Sequence, residues 1–462
     1  MQRVAVLGLD GVDFQTFNLI LRRYNTPNLQ YLFSKSLIKG SIKCLPPITP
    51  PSWTSIFTGV PPEVHGIPDF LVVDSAHWRA RAVTIRDIRY PRIWDIAKTS
   101  RNSLIVLVGV PLSYPPLIRR RDLLIVGDWT SLYSNTLRIP SIVKVNLKPI
   151  KYKSVVSQEY ETFLKYSEEE LENYLDIMEK IIHTHYVNLL ITVIPHLDWI
   201  LHKWPYSLIN GVPDLKQIIE TIDRISEVLL EEFDNIFLCS DHGVKPFRYV
   251  LNIVGILAKY RLLKFTGNIF INWYFSLNFP RIIYDISKFL ISSTRIPIIK
   301  LMNKMHLKAE MHTLRGYVDK DSICATSSYP YWIYIRRRTY TPLVIRVLRK
   351  ELNGLITIHK IKKISNIGDL LIEPKSREVC IKARYIPSYK TIIKFNTVDH
   401  SINGFYSFYS KNTNHSNVKK SDITTNVDLG IFLKSFIRVD KYLFKTFILK
   451  QRPLPRHLIT KE

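Results

Sequence analysis

Seven polar side chains, spread over almost the whole chain, have the types that hold metal ions and act on phosphate esters. They are Asp10, Thr49, Asp198, His202, Asp241, His242 and His400. Carboxylates and imidazoles suit divalent metals, and two such ions can clamp the attacking and leaving oxygens of a phosphoryl group. Thr49 adds a hydroxyl to this set. The set therefore predicts hydrolytic chemistry at phosphorus.

The spacing of four of these residues strengthens the prediction. Asp198 and His202 are four residues apart, so one helical turn would direct both towards the same ion. Asp241 and His242 are adjacent, and a tight turn after a strand can aim both at a second ion. Each pair alone is weak, because an Asp-x-x-x-His pair is common on surfaces and a strand-ending Asp often caps a helix. Their joint occurrence is far more specific.

The elements that must position these residues can be predicted from apolar runs. Runs of strand length lie at residues 4–9, 103–108, 123–126, 187–194 and 235–240. Such runs are typical of parallel strands buried on both faces, and functional groups gather at the carboxyl ends of these strands. Helices are predicted over 157–186 and 213–233. The alternation predicts an α/β fold with a doubly wound, mostly parallel sheet.

The chain after residue 243 has a different character, because it is apolar, aromatic and basic with weak helical periodicity. We expect a basic, partly helical insertion, or cap, with strands near 331–335 and 355–358. A run over 385–409 then returns to the sheet and carries His400. The predicted divisions are a catalytic core of residues 1–250 and 385–433, an insertion of 251–384 and a basic C-terminal tail of 434–462.

Positive charge is concentrated in the second half of the chain. Residues 1–245 hold 27 Lys and Arg against 26 Asp and Glu, whereas residues 246–462 hold 38 against 13. Such an excess attracts nucleotides, nucleic acid or an anionic membrane surface, although a generally basic proteome gives the same excess. An alternative of another class is therefore a non-catalytic polyanion- or membrane-binding protein, with 287–305 as an amphipathic contact.

The number and spacing of the cysteines indicate the redox state of the compartment in which the protein resides. Cys44, Cys239, Cys324 and Cys380 are far apart and form no CxxC motif, which fits a reducing compartment rather than a disulfide framework or a zinc finger. No signal-peptide pattern is visible, and no stretch has the roughly 20 mostly apolar residues of a membrane span. We expect a soluble, cytoplasmic protein.

Five motifs, in this order, resemble the alkaline phosphatase superfamily and most closely its type I phosphodiesterase/nucleotide pyrophosphatase family. They are LGLDGVD at 7–13, PITPPSWTSIFTG at 47–59, DWILH at 198–202, SDHG at 240–243 and DHSING at 399–404. The resemblance covers about 1–250 and 385–410. It implies an alkaline-phosphatase-like core, two divalent metal ions (zinc, with manganese as the alternative) and hydrolysis of a phosphodiester or nucleotide pyrophosphate.

The resemblance also implies a role for each residue. One ion would be held by Asp198, His202 and His400, and the other by Asp10, Asp241, His242 and the Thr49 oxygen. Thr49 would be the nucleophile, and the reaction would run as two in-line displacements through a phospho-threonine intermediate. A phosphomonoesterase, a sulfatase or a phosphonate hydrolase with the same site is the alternative.

Two positions depart from the family pattern. The position three after the nucleophile is often an Asn that binds a phosphoryl oxygen, and here it is Ser52, whose hydroxyl can donate one bond to substrate. Pro50 has no N–H, so the peptide after Thr49 cannot join an oxyanion hole. Trp53, His65 and His196 are expected to pack or support the site rather than act in it.

Overall fold

The computed structural model describes residues 2–131, 136–145, 147, 150, 160–210, 214–264, 318–362, 367–382, 390–412 and 422–444. They fall into two compact units. The first unit comprises Met1–Ile67, Thr84–Lys245 and His400–Glu462. The second unit comprises Pro68–Val83 and Pro246–Asp399.

The chain alternates strands and helices in its first half and is richer in strands in its second. Within the described residues the strands are β1 (Val4–Leu9), β2 (Ile38–Lys43), β3 (Leu71–Asp74), β4 (Arg79–Ala82), β5 (Leu104–Val108), β6 (Leu123–Val126), β7 (Leu137–Arg138), β8 (Val187–Ile194), β9 (Asn235–Cys239), β10 (Gly243–Leu251), β11 (Cys324–Thr326), β12 (Trp332–Ile335), β13 (Ile356–Lys360), β14 (Leu370–Pro374), β15 (Val379–Cys380), β16 (Ile392–Ser401) and β17 (Asn403–Ser410). The helices are α1 (Phe14–Arg23), α2 (Pro27–Ser34), α3 (Thr49–Thr58), α4 (Pro62–His65), α5 (Ile93–Ile96), α6 (Tyr160–Thr184), α7 (His196–Lys203), α8 (Ser207–Asn210), α9 (Lys216–Glu232), α10 (Ile253–Lys259), α11 (Thr341–Glu351) and α12 (Asn426–Ser435). Short 3₁₀ helices span Ile85–Asp87 and Arg338–Tyr340.

The first unit is built on an eight-stranded sheet with the order β2-β17-β9-β1-β8-β5-β6-β7. The strands from β9 to β6 run parallel, whereas β17 is antiparallel to both β2 and β9, and β7 is antiparallel to β6. Every residue of β1, β5, β6, β8 and β9 is buried, which explains their unbroken apolar sequences. The predicted α/β fold with a doubly wound, mostly parallel sheet is confirmed.

Helices α6 and α9 agree with the sequence pattern to within a few residues. Helix α9 is amphipathic, and its buried residues include Ile218, Ile222, Ile225 and Leu229 at helical spacing. It packs against α6, as the burial of both apolar faces requires. Of the ranges predicted as helical, residues 157–159 and 213 lie outside the described part.

The C-terminal segment of the first unit packs on the helix that carries Thr49. Helix α12 lies against α3. Beyond it, the Lys98 N–H donates to the Arg438 carbonyl at 2.7 Å, and the Asp440 N–H donates to the Ile96 carbonyl at 2.7 Å. The start of the predicted tail is therefore hydrogen-bonded to the main chain of this unit, while residues 445–462 lie outside the described part.

The second unit contains a three-stranded sheet (β15-β10-β16), a four-stranded sheet (β11-β12-β14-β13) and the hairpin β3-β4. The strands predicted near 331–335 and 355–358 are present as β12 and β13. The hairpin region was predicted within the core but clusters with this unit, where buried Asp69 accepts from the Ser328 hydroxyl at 2.7 Å. Its described helices are α10, α11 and the 3₁₀ helix Arg338–Tyr340. Residues 265–317, which include the predicted amphipathic contact 287–305, lie outside the described part of the chain.

Among the helices of the described residues, none combines the length and apolar character that crossing a bilayer requires.

Candidate metal centre

Three neighbouring strands deliver the carboxylates of the site. Strands β9, β1 and β8 are adjacent and parallel, so their carboxyl ends lie together at one edge of the sheet. Asp10 directly follows β1, and its N–H donates to the Ile194 carbonyl at the end of β8 at 3.0 Å. Asp198 lies in the first turn of α7, just after β8, and Asp241 follows β9.

Gly11 permits the loop after β1 to approach α7 closely. Its φ is +72°, a conformation that L side chains rarely adopt. A Cβ at this position would lie 2.7 Å from both Cβ and Oδ1 of Asp198. Glycine is therefore required here for two independent reasons, since both the backbone conformation and the space exclude a side chain.

Asp198, His202 and His400 form the first predicted ligand set. Helix α7 places Asp198 Oδ1 3.4 Å from His202 Nε2, as the spacing of four residues predicts. His400, near the end of β16, brings its Nε2 to 3.8 Å from the same oxygen. One candidate ligand atom from each of the three residues lies within 4.8 Å of the others. The structure thus brings together a carboxylate and two imidazoles from distant parts of the chain.

His242 is the centre of the second predicted set. Its Nε2 lies 3.1 Å from Asp241 Oδ2, 3.7 Å from Asp10 Oδ1 and 3.2 Å from Thr49 Oγ1. Candidate ligand atoms of Asp10, Asp198 and His242 also lie within 4.8 Å of one another. Asp198 is therefore a member of the first set and also lies next to the second. All seven predicted residues converge on one compact region.

The three carboxylates of this region are buried without enough hydrogen-bond donors. Within the described residues, Asp10 Oδ1, Asp198 Oδ1 and Asp241 Oδ2 accept no hydrogen bond. Burial, followed by the negative charge of Asp198, raises the pKa of Asp10 well above its ordinary value. Burial, followed by the charges of Asp10 and Asp198, does the same to the pKa of Asp241. A cation would compensate these charges.

The imidazole nitrogens of the region also suit metal ligation. Burial and then the neighbouring His400 lower the pKa of His242 well below its ordinary value, so its ring is neutral and able to ligate. Burial alone would raise the pKa of Asp198, but His202, His400 and His242 outweigh it and hold that pKa low. Orphaned carboxylate oxygens beside imidazole nitrogens are a donor set that suits zinc or a similar divalent ion.

Thr49 begins helix α3 and is almost completely buried, with 2% of its surface exposed. The prolines at the next two positions, Pro50 and Pro51, fit the first helical turn because the N–H groups there have no partner within a helix. The same prolines remove two N–H donors from the helix end. The positive end of the helix dipole still lies beside the Thr49 hydroxyl, where negative charge would develop.

Contacts behind the ligands fix their orientation. His400 Nδ1 lies 2.8 Å from the Pro47 carbonyl, so this nitrogen carries the proton and Nε2 presents its lone pair as a candidate ligand atom. Trp53 Nε1–H donates to Asp10 Oδ2 at 2.9 Å. Trp53 passes so close to β1 that a Cβ on Gly8 would lie 2.5 Å from its ring. With 1% of its surface exposed, Trp53 supports a ligand and is not placed to stack on a substrate base.

Ser52 has a hydroxyl that is already engaged. Its Oγ donates to the Asp241 carbonyl at 2.6 Å and accepts from Asn426 Nδ2 at 3.0 Å, and all three residues are buried. A bond from this hydroxyl to substrate would have to replace the bond to Asp241. Asn426 was not identified from the sequence, and its position in the first turn of α12, 374 residues from Ser52, gave no local signal.

His65 and His196 lie behind the site, as the sequence predicted. His65 Nδ1 accepts from the Ile67 N–H at 3.2 Å and its Nε2 lies 3.0 Å from Ser55 Oγ on α3. Burial lowers the pKa of His65 to about 3, so the ring is neutral. His196, at the start of α7, contacts Glu170 of α6 at 3.0 Å. Both histidines therefore anchor helices that carry site residues.

Comparison with known proteins places the chain in a family. The family model for type I phosphodiesterase / nucleotide pyrophosphatase matches residues 4–310, which is more than half of the chain. A search of curated proteins finds no match.

Several solved structures are similar in fold. Phosphonoacetate hydrolase from Sinorhizobium meliloti 1021 has a TM-score of 0.56 and 13% identity over 94% of this chain and 96% of its own. Human ectonucleotide pyrophosphatase / phosphodiesterase 5 has a TM-score of 0.50 and 12% identity, with coverages of 98% and 96%. The alkaline phosphatase PafA has a TM-score of 0.51 and 13% identity over 95% of this chain and 96% of its own. With the family match, the conclusion is that this chain belongs to the type I phosphodiesterase/nucleotide pyrophosphatase family of phosphoric ester hydrolases.

Proposed function

We propose that the protein is a two-metal phosphodiesterase or nucleotide pyrophosphatase with Thr49 as its nucleophile. One observation carries the proposal. The Thr49 hydroxyl lies 3.2 Å from His242 Nε2, beside three buried carboxylates that each present an oxygen without a hydrogen bond among the described residues. A hydroxyl is rarely placed in such surroundings for packing alone, since each orphaned oxygen destabilises the fold.

The residues divide into two ligand groups and a nucleophile. Asp198, His202 and His400 would hold one ion, and Asp10, Asp241, His242 and Thr49 would hold the other. When bound, two divalent ions lower the pKa of a nearby hydroxyl and neutralise the charge on phosphoryl oxygens. Zinc is the proposed metal, with manganese as the alternative, because the donors combine carboxylate oxygens with imidazole nitrogens.

Thr49 Oγ would attack phosphorus in line with the leaving oxygen. The bond from Oγ to phosphorus forms while the bond from phosphorus to the leaving oxygen breaks, giving a phospho-threonine. Water then cleaves the phospho-threonine in a second in-line step and restores the hydroxyl. The rigid start of α3 holds Oγ in place, so each step begins from an oriented reactant. Two inversions give net retention at phosphorus.

The substrate class is the least constrained part of the proposal. A phosphomonoesterase, sulfatase or phosphonate hydrolase would use the same nucleophile and ligands, and the fold is shared with a phosphonoacetate hydrolase and an alkaline phosphatase. Diester or nucleotide pyrophosphate hydrolysis is favoured by the family match. We also propose a cytoplasmic location, which the four free cysteines support, and an anionic partner for the basic second half.

The test is hydrolysis of bis-p-nitrophenyl phosphate beside p-nitrophenyl phosphate, by metal-free enzyme to which zinc or manganese is returned. We expect metal-dependent, diester-selective activity that Thr49→Ala lowers by roughly a thousandfold or more. Thr49→Ser is the matched control, because it keeps a nucleophilic oxygen and should retain measurable activity.

Each other outcome points elsewhere. A preference for the monoester would keep Thr49 and the metals but assign a phosphomonoesterase. Equal activity of Thr49→Ala and wild type would exclude Thr49 as the nucleophile. Absence of metal-dependent activity on both substrates, together with metal-independent and salt-sensitive binding to nucleic acid or anionic vesicles, would favour the non-catalytic polyanion-binding alternative.

A further inference from the structure

The second unit contains an open groove whose lining is unusually basic. The groove has a volume of about 450 Å³ and is lined by Thr341, Pro342, Ile345, Arg346, Arg349 and Lys360. Three of these six residues are cations, and none is acidic. The lining is provided by helix α11 and by Lys360, the last residue of strand β13. All of it belongs to the second unit, and none of the lining residues is a candidate metal ligand.

Helix α11 explains how the cations come to face one cavity. Pro342, Ile345, Arg346 and Arg349 occur at helical spacing and form one stripe along the helix. The opposite face is apolar and buried, and it consists of Val344, Val347 and Leu348. Packing of that face fixes the helix, so the basic stripe is held in a set orientation rather than left to move with a loop. Strand β13 lies at the edge of its sheet and adds Lys360.

Within the described part of the chain, the cations of the groove have no ion-pair partner. Arg346, Arg349 and Lys360 are exposed, and no hydrogen bond or ion pair joins their side chains to the described residues. Residues 322–362 contain eight Lys and Arg but only one acidic residue, Glu351. Glu351 is engaged elsewhere, because it accepts hydrogen bonds from Tyr260 at 2.6 Å and from Lys259 at 2.9 Å.

We propose that this groove binds a phosphate-bearing ligand that carries two or more negative charges. The guanidinium groups of Arg346 and Arg349 can each form paired hydrogen bonds to phosphate oxygens, and the Lys360 ammonium adds a third charge. Pro342 and Ile345 supply an apolar wall for the carbon part of the ligand. The inference does not depend on the reaction proposed for the metal centre.

The shape of the groove favours a compact ligand over a nucleic-acid strand. Its volume falls within the roughly 300–1,000 Å³ of typical small-molecule sites. Single-stranded nucleic acid is commonly held by aromatic side chains that stack on its bases, and the lining contains none. The same phosphate chemistry can come from a free compound, such as a nucleotide, or from a lipid headgroup.

The first measurement is calorimetric titration of the full-length protein with inorganic pyrophosphate in the presence of EDTA. The groove variant is Arg346→Gln/Arg349→Gln. The matched control is Lys375→Gln/Arg377→Gln, which removes the same charge from two exposed residues of the same unit. We expect the groove variant to bind at least about tenfold more weakly than the control, because charge-assisted hydrogen bonds are lost as well as net charge. Melting temperatures of both variants show that they fold.

A second measurement separates a free ligand from a lipid. Sedimentation with phosphatidylcholine vesicles containing phosphatidic acid, against pure phosphatidylcholine vesicles, should show the same difference between variants if the source is a lipid. Loss of pyrophosphate binding alone would assign a free phosphorylated compound. Equal behaviour of the two variants, or no binding of either probe by the wild type, would overturn the proposal. A difference seen only with a DNA oligonucleotide would overturn it in favour of nucleic acid.

Discussion

The candidate metal centre of the first unit and the basic groove of the second place their ionisable side chains in opposite environments. The first unit gathers Asp10, Asp198, Asp241 and His242 in its interior, where carboxylate oxygens meet without donors to satisfy them. The second unit leaves the cations of its groove in solvent, where water already stabilises them. The first arrangement destabilises the fold, whereas the second is almost neutral for stability. What sets the candidate metal centre apart is therefore the burial of carboxylate oxygens without hydrogen-bond donors, whereas exposed charge indicates at most which ligands are attracted.

A first prediction contrasts two buried aspartates, one from each unit. Asp198→Asn removes a proposed ligand of one ion whose carboxylate also lies close to Asp10 and His242, so we expect loss of bound metal and a fall in kcat/KM of roughly a thousandfold or more. Asp369→Asn affects a carboxylate that accepts from the Ile335 N–H at 2.7 Å, so we expect about 1 kcal/mol of lost stability and retained activity. Metal content, hydrolysis rates and urea denaturation measure both. If Asp198→Asn and Asp369→Asn lost activity to a similar extent, the contrast between the two buried aspartates would be wrong.

A second prediction contrasts two glycines with positive φ. Gly354 has φ +76° and open space around it, so Gly354→Ala should cost only backbone strain, about 1–2 kcal/mol. Gly11→Ala adds a clash with Asp198 to the same strain, so we expect a larger loss of stability together with a loss of metal binding. Thermal unfolding and metal content test this. Equal destabilisation by the two substitutions would show that the approach of α7 to the β1 loop is not under such constraint.

A third prediction concerns the engaged hydroxyl of Ser52. Ser52→Ala leaves the Asp241 carbonyl and the Asn426 amide without partners, which costs about 1–3 kcal/mol of stability, and it should lower kcat about tenfold or more by freeing the Asp241 peptide. Ser328→Ala, which removes a hydroxyl donor to Asp69 in the second unit, should affect stability alone. If Ser52 instead bound substrate, KM would rise while stability stayed near wild type.

The smallest predicted effect is a pH-dependent one in the second unit. Hydrogen bonds from Tyr260 and Lys259 lower the pKa of Glu351 to about 2, from an ordinary value of 4.5. A carboxyl whose pKa is lower in the folded state stabilises the protein above pH 4.5, and this contribution is lost as the pH falls towards 2.

Glu351→Gln should therefore slightly lower the melting temperature at pH 7, and its difference from wild type should shrink at pH 3. Glu378→Gln, at an exposed glutamate of the same unit, is the control and should leave the melting temperature unchanged at both pH values. A difference that stayed constant between pH 7 and pH 3 would contradict the role given to the hydrogen bonds of Glu351.

The sequence was most informative where a functional residue directly follows a buried strand. Asp10, Asp198 and Asp241 could be predicted because each is close in sequence to an unbroken apolar run, and such runs pair as parallel strands. The i, i+4 spacing of Asp198 and His202 likewise fixed their relation on α7 without knowledge of the tertiary structure. In these cases, the local sequence pattern was sufficient to predict where the residue lies in the fold.

Features that depend on packing between distant segments could not be predicted. Asn426 reaches Ser52 only because α12 packs on α3, and nothing near residue 426 indicates this. The run predicted over 385–409 proved to be two strands in different sheets, β16 and β17, since the chain turns at Ile402. The hairpin Pro68–Val83 joins the second unit through long-range hydrogen bonds, which no apolar periodicity records.

The late position of His400 in the chain has a consequence for biosynthesis. Synthesis proceeds from the N-terminus, and the parallel strands β1, β5, β6, β8 and β9 are all complete by residue 239. The nascent polypeptide can then present Asp10, Asp198 and Asp241, but it lacks the imidazole that completes the set around Asp198. Strand β16 must leave the ribosome before the centre can close. On the proposed function, full loading with metal would therefore be a late event in the maturation of this protein, and a chain truncated before β16 would have only part of the candidate site.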